Sequence, residues 1–138
     1  MRYILDSNIA IKWVLSEPDS PKALQLRDEF IKGLHELLAP DVFELEVAHA
    51  LTRAERAGRI DVGDAGVLWS DVMTTPPQLV MSGLLAPQAI AIASAARIGF
   101  YDCLYAHLAD QEGCSLITAD IKLQKNLPNH PIITLDDL

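Results

Sequence analysis

Near the start of the chain, the segment Tyr3-Ile4-Leu5-Asp6-Ser7-Asn8 joins a short apolar run to an acidic residue. A run of this length is too short for a helix and is typical of a buried strand. Further short runs, bounded by Asp, Pro or Gly, occupy residues 37–39, 79–81, 115–118 and 132–134. Helical patterns separate them, and strands that alternate with helices pair in parallel. The sequence therefore predicts a parallel sheet of five strands in an α/β fold.

The predicted helices cover residues 9–15, 21–32, 42–57, 62–73, 87–97, 103–112 and 121–126. Pro21 and Pro87 suit the first turn of a helix, where a missing N–H costs little. Left-handed residues that commonly end a helix are expected at Gly33, Gly58, Gly99 and Gly113. The apolar stretch of residues 84–96 is too short to span a membrane and is interpreted as a buried core helix.

The composition indicates one folded domain over residues 1–138. Half of the residues (50%) are apolar, and the only cysteines are Cys103 and Cys114. With no recognisable export signal or membrane span, we expect reduced thiols and a cytoplasmic protein. The net charge of -8 disfavours broad adhesion to nucleic acid or anionic lipid. It favours either a basic partner or an acidic site that concentrates cations.

Two acidic residues, Asp6 and Asp120, each follow a predicted strand. Ligand sites of open parallel sheets form outside the carboxyl ends of the strands. Both carboxylates are therefore expected at one edge of the sheet. The alternative is that each only caps the helix after it, a position that Asp favours.

Two further acidic residues, Glu46 and Asp102, lie in predicted helical segments. Glu46 borders the apolar stripe of its helix, and the alternative is a solvated flank with a local attraction to Arg53. Asp102 opens its helix and shares a face with Tyr105, which is interpreted as a core residue. No Lys or Arg follows Asp102 at the third or fourth position, so an inward carboxylate there needs a cation to offset its burial.

A divalent metal ion would meet the need of all four carboxylates. Two unit charges roughly 4 Å apart repel by about 4 kcal/mol at an effective dielectric constant near 20. Hard oxygen ligands in small number suit Mg²⁺ or Mn²⁺, which keep several waters and bridge carboxylates to phosphates. Such an ion also lowers the pKa of a bound water and stabilises a leaving oxygen. The acidic residues therefore indicate metal-assisted phosphoryl transfer.

Four segments of the chain resemble the PIN-domain family, and among its members the toxin ribonucleases of VapC type. They are Ile4-Leu5-Asp6-Ser7-Asn8, Pro40 through Val47 with Ala50-Leu51, Tyr101-Asp102-Cys103-Leu104-Tyr105-Ala106-His107-Leu108-Ala109, and Leu116-Ile117-Thr118-Ala119-Asp120. Together they extend over nearly the whole chain. Their order and their separations make the resemblance specific.

The resemblance implies a single PIN-like domain with a central parallel five-stranded sheet flanked by helices. It implies a Mg²⁺ or Mn²⁺ site with Asp6 and Asp102 as the core ligands. Completing or supporting that site are Glu46, Asp120, Asn8 and Thr118. The implied activity is endonucleolytic cleavage of RNA by metal-activated water. Toxins of this family form homodimers, and a cognate antitoxin silences them by occupying the acidic groove.

So acidic a protein has few cations with which to bind the phosphates of RNA. The candidates are Arg53, Lys12 and Lys122, each near one of the acidic residues in sequence or on the same helix flank. A basic partner, which the resemblance identifies as an antitoxin, also needs exposed apolar helix surface. We expect that surface on residues 9–15 and 62–73, unless these pack into the core or into a homodimer.

Other functions remain open on the sequence alone. Within the same family, the alternatives are a housekeeping RNA-processing nuclease and a catalytically inactive interaction module. A zinc site could recruit Cys103, His107 and Asp110, although paired zinc motifs are absent. Receiver domains and haloacid-dehalogenase-like phosphatases need a second acid close after the first, whereas Ser7 and Asn8 follow Asp6.

Overall fold

In the computed structural model, which describes residues 1–138, five strands form one parallel sheet. The strands are β1 (Arg2–Leu5), β2 (Glu36–Pro40), β3 (Gln78–Val80), β4 (Ser115–Ile117) and β5 (Ile132–Ile133). Their order across the sheet is β3-β2-β1-β4-β5, and every neighbouring pair is parallel. The predicted α/β fold is confirmed, and all five predicted strands are present. β1, which carries the apolar run before Asp6, lies at the centre of the sheet.

Helices flank the sheet. They are α1 (Ser7–Ile11), α2 (Ser20–Ile31), α3 (Phe43–Arg56), α4 (Asp64–Val72), α5 (Ser82–Ala96), α6 (Phe100–Glu112) and α7 (Ile121–Asn126). α6 packs on β1, β2 and β4, and α5 packs on α6. α3 packs against α1 and α4. A final 3₁₀ turn, Leu135–Asp137, contacts α2.

Both ends of α5 differ from the predicted ones. The helix starts at Ser82, which places Pro87 in its interior rather than in its first turn. A proline there cannot donate to the carbonyl four residues earlier. At the other end the left-handed cap is Arg97 (φ 60°), so the prediction of such a cap at Gly99 is wrong. Positive φ angles are found at the other predicted caps, Gly33, Gly58 and Gly113.

The starts of α1 and α6 also precede the predicted ones. α1 begins at Ser7, so that only Asp6 separates it from β1. α6 begins at Phe100, which places Asp102 within the first turn rather than at the opening of the helix. Apolar periodicity marks the buried face of a helix, whereas a first turn needs only helical backbone angles. The pattern therefore locates both helices without their first residues.

The core is one cluster of 33 buried apolar side chains. Ile4 and Leu5 of β1, together with Phe43 of α3, have no exposed surface (0%). A strand covered by helices on both faces reads as a continuous apolar run, which is the pattern of β1. The core therefore lies on both faces of β1 and fixes the position of Asp6 at its end.

One prediction of burial is wrong. α5 buries only two of its side chains, while Leu84 and Ile90 are exposed, so it is a surface helix and not a buried core helix. For residues 9–15 the alternative holds, because they are mostly buried and pack into the core. Within residues 62–73, by contrast, Val67 is exposed.

No single helix is long and apolar enough to cross a membrane. Only α5 and α6 taken together reach that length and composition, and they are bent by 116° relative to each other. Both cysteines, Cys103 in α6 and Cys114 after it, are free thiols.

Candidate active site

Asp6 and Asp120 lie at the carboxyl edge of the sheet, as predicted for residues that follow neighbouring parallel strands. β1 pairs directly with β4, and the ladder continues as the backbone N–H of Asp6 donates to Ile117 O at 3.1 Å. Asp120 follows the end of β4 and is the N-cap of α7. The sheet register therefore brings together two acids that are more than a hundred positions apart in sequence.

A hydrogen-bonded network holds Asp6 in place. Thr118 Oγ1 donates to Asp6 Oδ2 at 2.7 Å and accepts from Asn8 Nδ2 at 3.2 Å. It also accepts from the backbone N–H of Asp120 at 3.0 Å, while Asn8 Oδ1 accepts from the N–H of Ala119 at 3.1 Å. Thr118 and Asn8 thus connect the turn after β1 to the loop after β4. Both residues stand where the resemblance implied support for the site.

Glu46, in the first turn of α3, is fixed by a residue from α6. The hydroxyl of Tyr105 donates to Glu46 Oε1 at 2.6 Å. Burial, then the charges of Glu46 and Asp6, raise the pKa of the Tyr105 hydroxyl, so it remains protonated and able to donate. Arg53 forms no ion pair with Glu46, and the alternative of a simple solvated flank is not what the structure shows.

The four carboxylates act on one another electrostatically. Burial raises the pKa of Asp6 to about 7, and the charges of Asp102 and Glu46 add to this, although the Thr118 hydrogen bond opposes it. Burial also raises the pKa of Glu46, against the Tyr105 hydrogen bond, and the charge of Asp102 raises it further. The pKa of Asp102 is raised by burial and then by the charge of Asp120. The structure therefore brings all four predicted acids into one neighbourhood.

None of these four carboxylates has a cationic partner. No ion pair of the protein includes any of them. Asp102 has no hydrogen-bond partner that lowers its pKa. Asp120 caps α7 through Oδ1, which accepts from the N–H of Leu123 at 3.1 Å, so the capping alternative holds for this residue beside its place in the cluster. Partly buried acids without a cation are costly, which makes a cationic ligand the natural complement of the site.

The donor set fits a hard divalent cation, although the side chains do not form a finished coordination cage. No three His, Cys, Asp or Glu side chains meet around one point that could hold a metal. Mg²⁺ commonly needs only one or two direct carboxylates and completes its shell with water. The cluster supplies oxygen donors only, which suits Mg²⁺ or Mn²⁺. The zinc set of Cys103, His107 and Asp110 is not formed, and Asp110 instead pairs with His130 at 2.8 Å.

The three candidate RNA-binding cations differ in their availability. Arg53 and Lys122 are exposed and form no ion pair. Lys12 is only 8% exposed, and its ammonium lies 3.0 Å from Glu17 and 2.8 Å from Asp19. Those two carboxylates neutralise Lys12 within the domain. Its position therefore favours a structural role over contact with phosphate.

The sequence did not indicate two contributors to the site, Ser7 and Tyr105. The Ser7 hydroxyl donates to Asp6 Oδ1 at 3.4 Å. The sequence pattern places Tyr105 in the core, where it is 1% exposed, yet its hydroxyl also reaches Glu46. One signal was available, because Tyr105 follows Asp102 by three positions and so shares its helix face.

Known proteins share this fold. A solved structure of PAE2754 from Pyrobaculum aerophilum has a TM-score of 0.71 and 21% identity, with 99% of this chain and 94% of that one covered. The structure of VapBC2 from Rickettsia felis, bound to a DNA fragment from their promoter, has a TM-score of 0.66 and 17% identity. The alignment covers 97% of this chain and 98% of that one. The structure of VapBC-1 from nontypeable Haemophilus influenzae has a TM-score of 0.66 and 17% identity, and the alignment covers 99% of both chains.

Sequence comparison gives the family directly. No curated protein matches the chain significantly. The family model described as the PIN domain matches residues 3–127, which include all four acidic residues of the cluster and nearly all of the sheet. The resemblance noted in the sequence is thereby confirmed at the level of the family. This protein belongs to the PIN domain family.

Proposed function

We propose that this protein is a Mg²⁺- or Mn²⁺-dependent endoribonuclease that acts as the toxin of a toxin–antitoxin pair. The observation that carries the proposal is the cluster of Asp6, Glu46, Asp102 and Asp120, four carboxylates that no side chain of the protein neutralises. A structural acidic cluster would be expected to hold Lys or Arg among its members. A group of carboxylates without cationic partners, placed at the carboxyl edge of a parallel sheet where ligands bind, is instead typical of a site that binds its cation from solution.

The residues of the site have different roles in holding a metal ion and in positioning RNA. Asp6 and Asp102 are the core ligands, Glu46 and Asp120 complete the site directly or through water, and Asn8 and Thr118 hold Asp6. When bound, the metal ion supplies an activated water and stabilises the leaving oxygen of a phosphodiester. The hydrogen bond from Tyr105 orients one oxygen of Glu46, so that this carboxylate enters the site in a fixed position.

RNA reaches this acidic site with the help of few basic residues. Arg53 lies two turns along α3 from Glu46, and Lys122 lies two positions after Asp120. Both are exposed and free of ion pairs. Contacts with phosphate position a nucleic acid without reading its sequence. These two residues therefore set the affinity for RNA rather than the cleavage sequence.

The toxin assignment rests on the resemblance to VapC-type proteins and on charge. The solved structures with this fold include VapBC2 and VapBC-1. A net charge of -8 and a cluster without internal cations favour a basic partner, here a cognate antitoxin. Homodimer formation and a cytoplasmic location belong to the same proposal.

The test uses the purified protein, separated from any partner, with single-stranded RNA as substrate. We expect cleavage in Mg²⁺ or Mn²⁺ and none in EDTA. Asp102→Asn should lower the rate by at least about 100-fold, because it removes a ligand charge from the metal site. Asp110→Asn is the matched control, an exposed carboxylate on the same helix that lies outside the cluster. Equal activity of Asp102→Asn and the wild type would contradict the metal assignment.

A second experiment separates a toxin from a housekeeping nuclease. Co-expression with the neighbouring reading frame should give a stable, salt-sensitive complex in which RNA cleavage is suppressed. Metal-dependent cleavage that is indifferent to that neighbour would leave a PIN-domain nuclease and remove the toxin role. Folded protein without any cleavage would favour the inactive interaction module.

A further inference from the structure

A groove of about 520 Å³ lies beside the acidic cluster. Its lining residues are Ser7, Val42, Leu45, Glu46, His49 and Tyr101. Glu46 belongs both to this groove and to the cluster, and Ser7 of the groove donates to Asp6 of the cluster, so the two are continuous. A phosphodiester bound at the carboxylates would place its neighbouring nucleotide at the mouth of this groove.

Three of the six lining residues, Val42, Leu45 and Tyr101, are apolar, and two of these three are open to solvent. Leu45 is 73% exposed and Tyr101 is 58% exposed. Tyr101 directly precedes Asp102 in the first turn of α6, so their Cα atoms are about 3.8 Å apart. Leu45 likewise precedes Glu46 in the first turn of α3. Each wall is thus built one residue away from an acid of the cluster.

The ring of Tyr101 contacts the ring of the preceding residue, Phe100. Phe100 packs edge-to-face against it, with centroids 5.5 Å apart and an angle of 66° between the planes. Tyr and Trp side chains give large contact areas at a low entropic cost because they have only two side-chain torsions. An exposed aromatic ring is a stacking platform for a nucleobase.

The electrostatics of the groove select the part of RNA that can enter it. A phosphate beside Glu46 and Asp102 would be repelled, unless a metal ion lay between them. A base is neutral, has a flat π-face, and carries polar groups at its edges. His49 and Glu46 at the rim of the groove provide partners for those edges. The groove therefore fits a base better than it fits a phosphate.

We propose that this groove binds the base of a nucleotide adjacent to the scissile phosphate of single-stranded RNA, stacked on Tyr101 and packed against Leu45. The inference rests on the proposed ribonuclease function and adds to it a site that determines the affinity for the base beside the cut. Phosphate contacts leave the cleavage site unchanged, whereas base contacts select it. Stacking on Tyr101 accordingly supplies affinity for any base, whereas Glu46 and His49, which can contact the edges of the stacked base, supply the choice among bases.

The test compares cleavage and binding by Tyr101→Ala, Tyr101→Phe and Leu45→Ala. The matched control is Leu84→Ala, because Leu84 on α5 is also 73% exposed but lies outside the groove. A random pool of single-stranded RNA, cleaved in Mg²⁺ and sequenced, first gives the preferred site. Affinity for that RNA is then measured by fluorescence anisotropy in the Asp102→Asn background, where the RNA stays intact.

Loss of the ring should weaken binding by about 5- to 100-fold, the range expected for one base stacked on an aromatic side chain. Tyr101→Phe should restore the affinity, and Leu84→Ala should leave it unchanged. An RNA that is abasic beside the cut should bind the wild type weakly and show no further loss with Tyr101→Ala. The sequence preference of Tyr101→Ala should relax at that one position.

Several outcomes would overturn the inference. If the wild type cleaves RNA and Tyr101→Ala has the same affinity and preference, the base site is wrong while the proposed function stands. The base site is equally wrong if Tyr101→Ala weakens abasic and intact RNA alike, or if it alters only a complex with a protein partner or a second copy of this chain. A wild type that cleaves no RNA in either metal would remove the proposed function and this inference together.

Discussion

Replacing Asp6 by Asn is expected to stabilise the metal-free protein, although the change removes a residue of the candidate active site. Burial, with help from the charges of Asp102 and Glu46, raises the pKa of Asp6 from an ordinary 3.8 to about 7. At about 1.4 kcal/mol for each pH unit between the two values, the ionised carboxylate destabilises the fold by about 4 kcal/mol near pH 8. Asparagine carries no charge and can still accept the hydrogen bond of Thr118.

The sign of the pH dependence follows from proton binding. Between these two pKa values the folded protein holds the proton on Asp6 while the unfolded chain has released it. The destabilisation is therefore absent below the unfolded value, grows as the pH rises, and is complete above about pH 7. The free energy of unfolding of the wild type should rise as the pH falls from about 8 to about 5. Asp6→Asn should lack this component.

The assay is urea denaturation in EDTA at several pH values between about 5 and 8, with thermal melts alongside. Near pH 8 the variant should gain about 2–4 kcal/mol, or about 10 °C in Tm for a domain of this size. Mg²⁺ should then stabilise the wild type more than the variant, because a ligand that binds only the folded state stabilises it. Asp61→Asn is the control, since Asp61 is exposed and lies outside the cluster.

The reasoning would be refuted by an Asp6→Asn variant that is less stable than the wild type near pH 8 in EDTA. It would be refuted equally by a stability difference that does not shrink as the pH falls. Either result would mean that Asp6 is stabilised by its hydrogen bonds more than it is destabilised by burial and by its acidic neighbours.

Variants at two further residues, Asp120 and Arg53, test separate parts of the site. Asp120→Ala should lose about 1 kcal/mol of stability, because the cap on the N–H of Leu123 disappears, whereas Asp120→Asn should keep the cap and lose only metal affinity, as measured by calorimetric titration with Mn²⁺. Equal metal affinity of Asp120→Asn and the wild type would place Asp120 outside the metal site. Charge reversal at Arg53 should weaken binding to RNA of any sequence without moving the cleavage site, and affinity that is unchanged at low salt would refute this role. Lys32→Glu, at the residue that follows α2 and pairs only with Asp28, is its control.

The sheet and two of its acids could be predicted because their signal is local. Each strand is a short apolar run, and Asp6 and Asp120 follow two of those runs. Parallel strands have their carboxyl ends at one edge, so the fold class alone places residues that are far apart in sequence on the same edge, and the pairing of β1 with β4 then brings them together. Asp102 could be recognised because an acid on an apolar helix face is costly without a cation. The PIN-domain resemblance added Glu46, whose flank alone did not distinguish it from a solvated residue.

The features of the fold and of the site that the sequence did not predict depend on contacts that no local sequence pattern shows. The pairing of Tyr105 with Glu46 joins residues 59 positions apart on different helices. α5 is apolar on nearly all sides, so its composition could not show that Leu84 and Ile90 lie on the surface. Lys12 was a candidate for RNA binding because the sequence does not show that the segment after α1 folds back. In the structure Glu17 and Asp19 of that segment pair with Lys12.

The same burial that makes Asp6 costly in the free protein would make it an effective ligand for a cation. A carboxylate that is 6% exposed interacts with a cation in a medium of lower dielectric constant than water, so the attraction is stronger there. The large core on both faces of β1 compensates the cost and keeps the carboxylate in place without a cation. On the proposed function, a metal ion and a cationic side chain of an antitoxin would relieve the same repulsion. Each should therefore weaken binding of the other, and their effects on stability should not add.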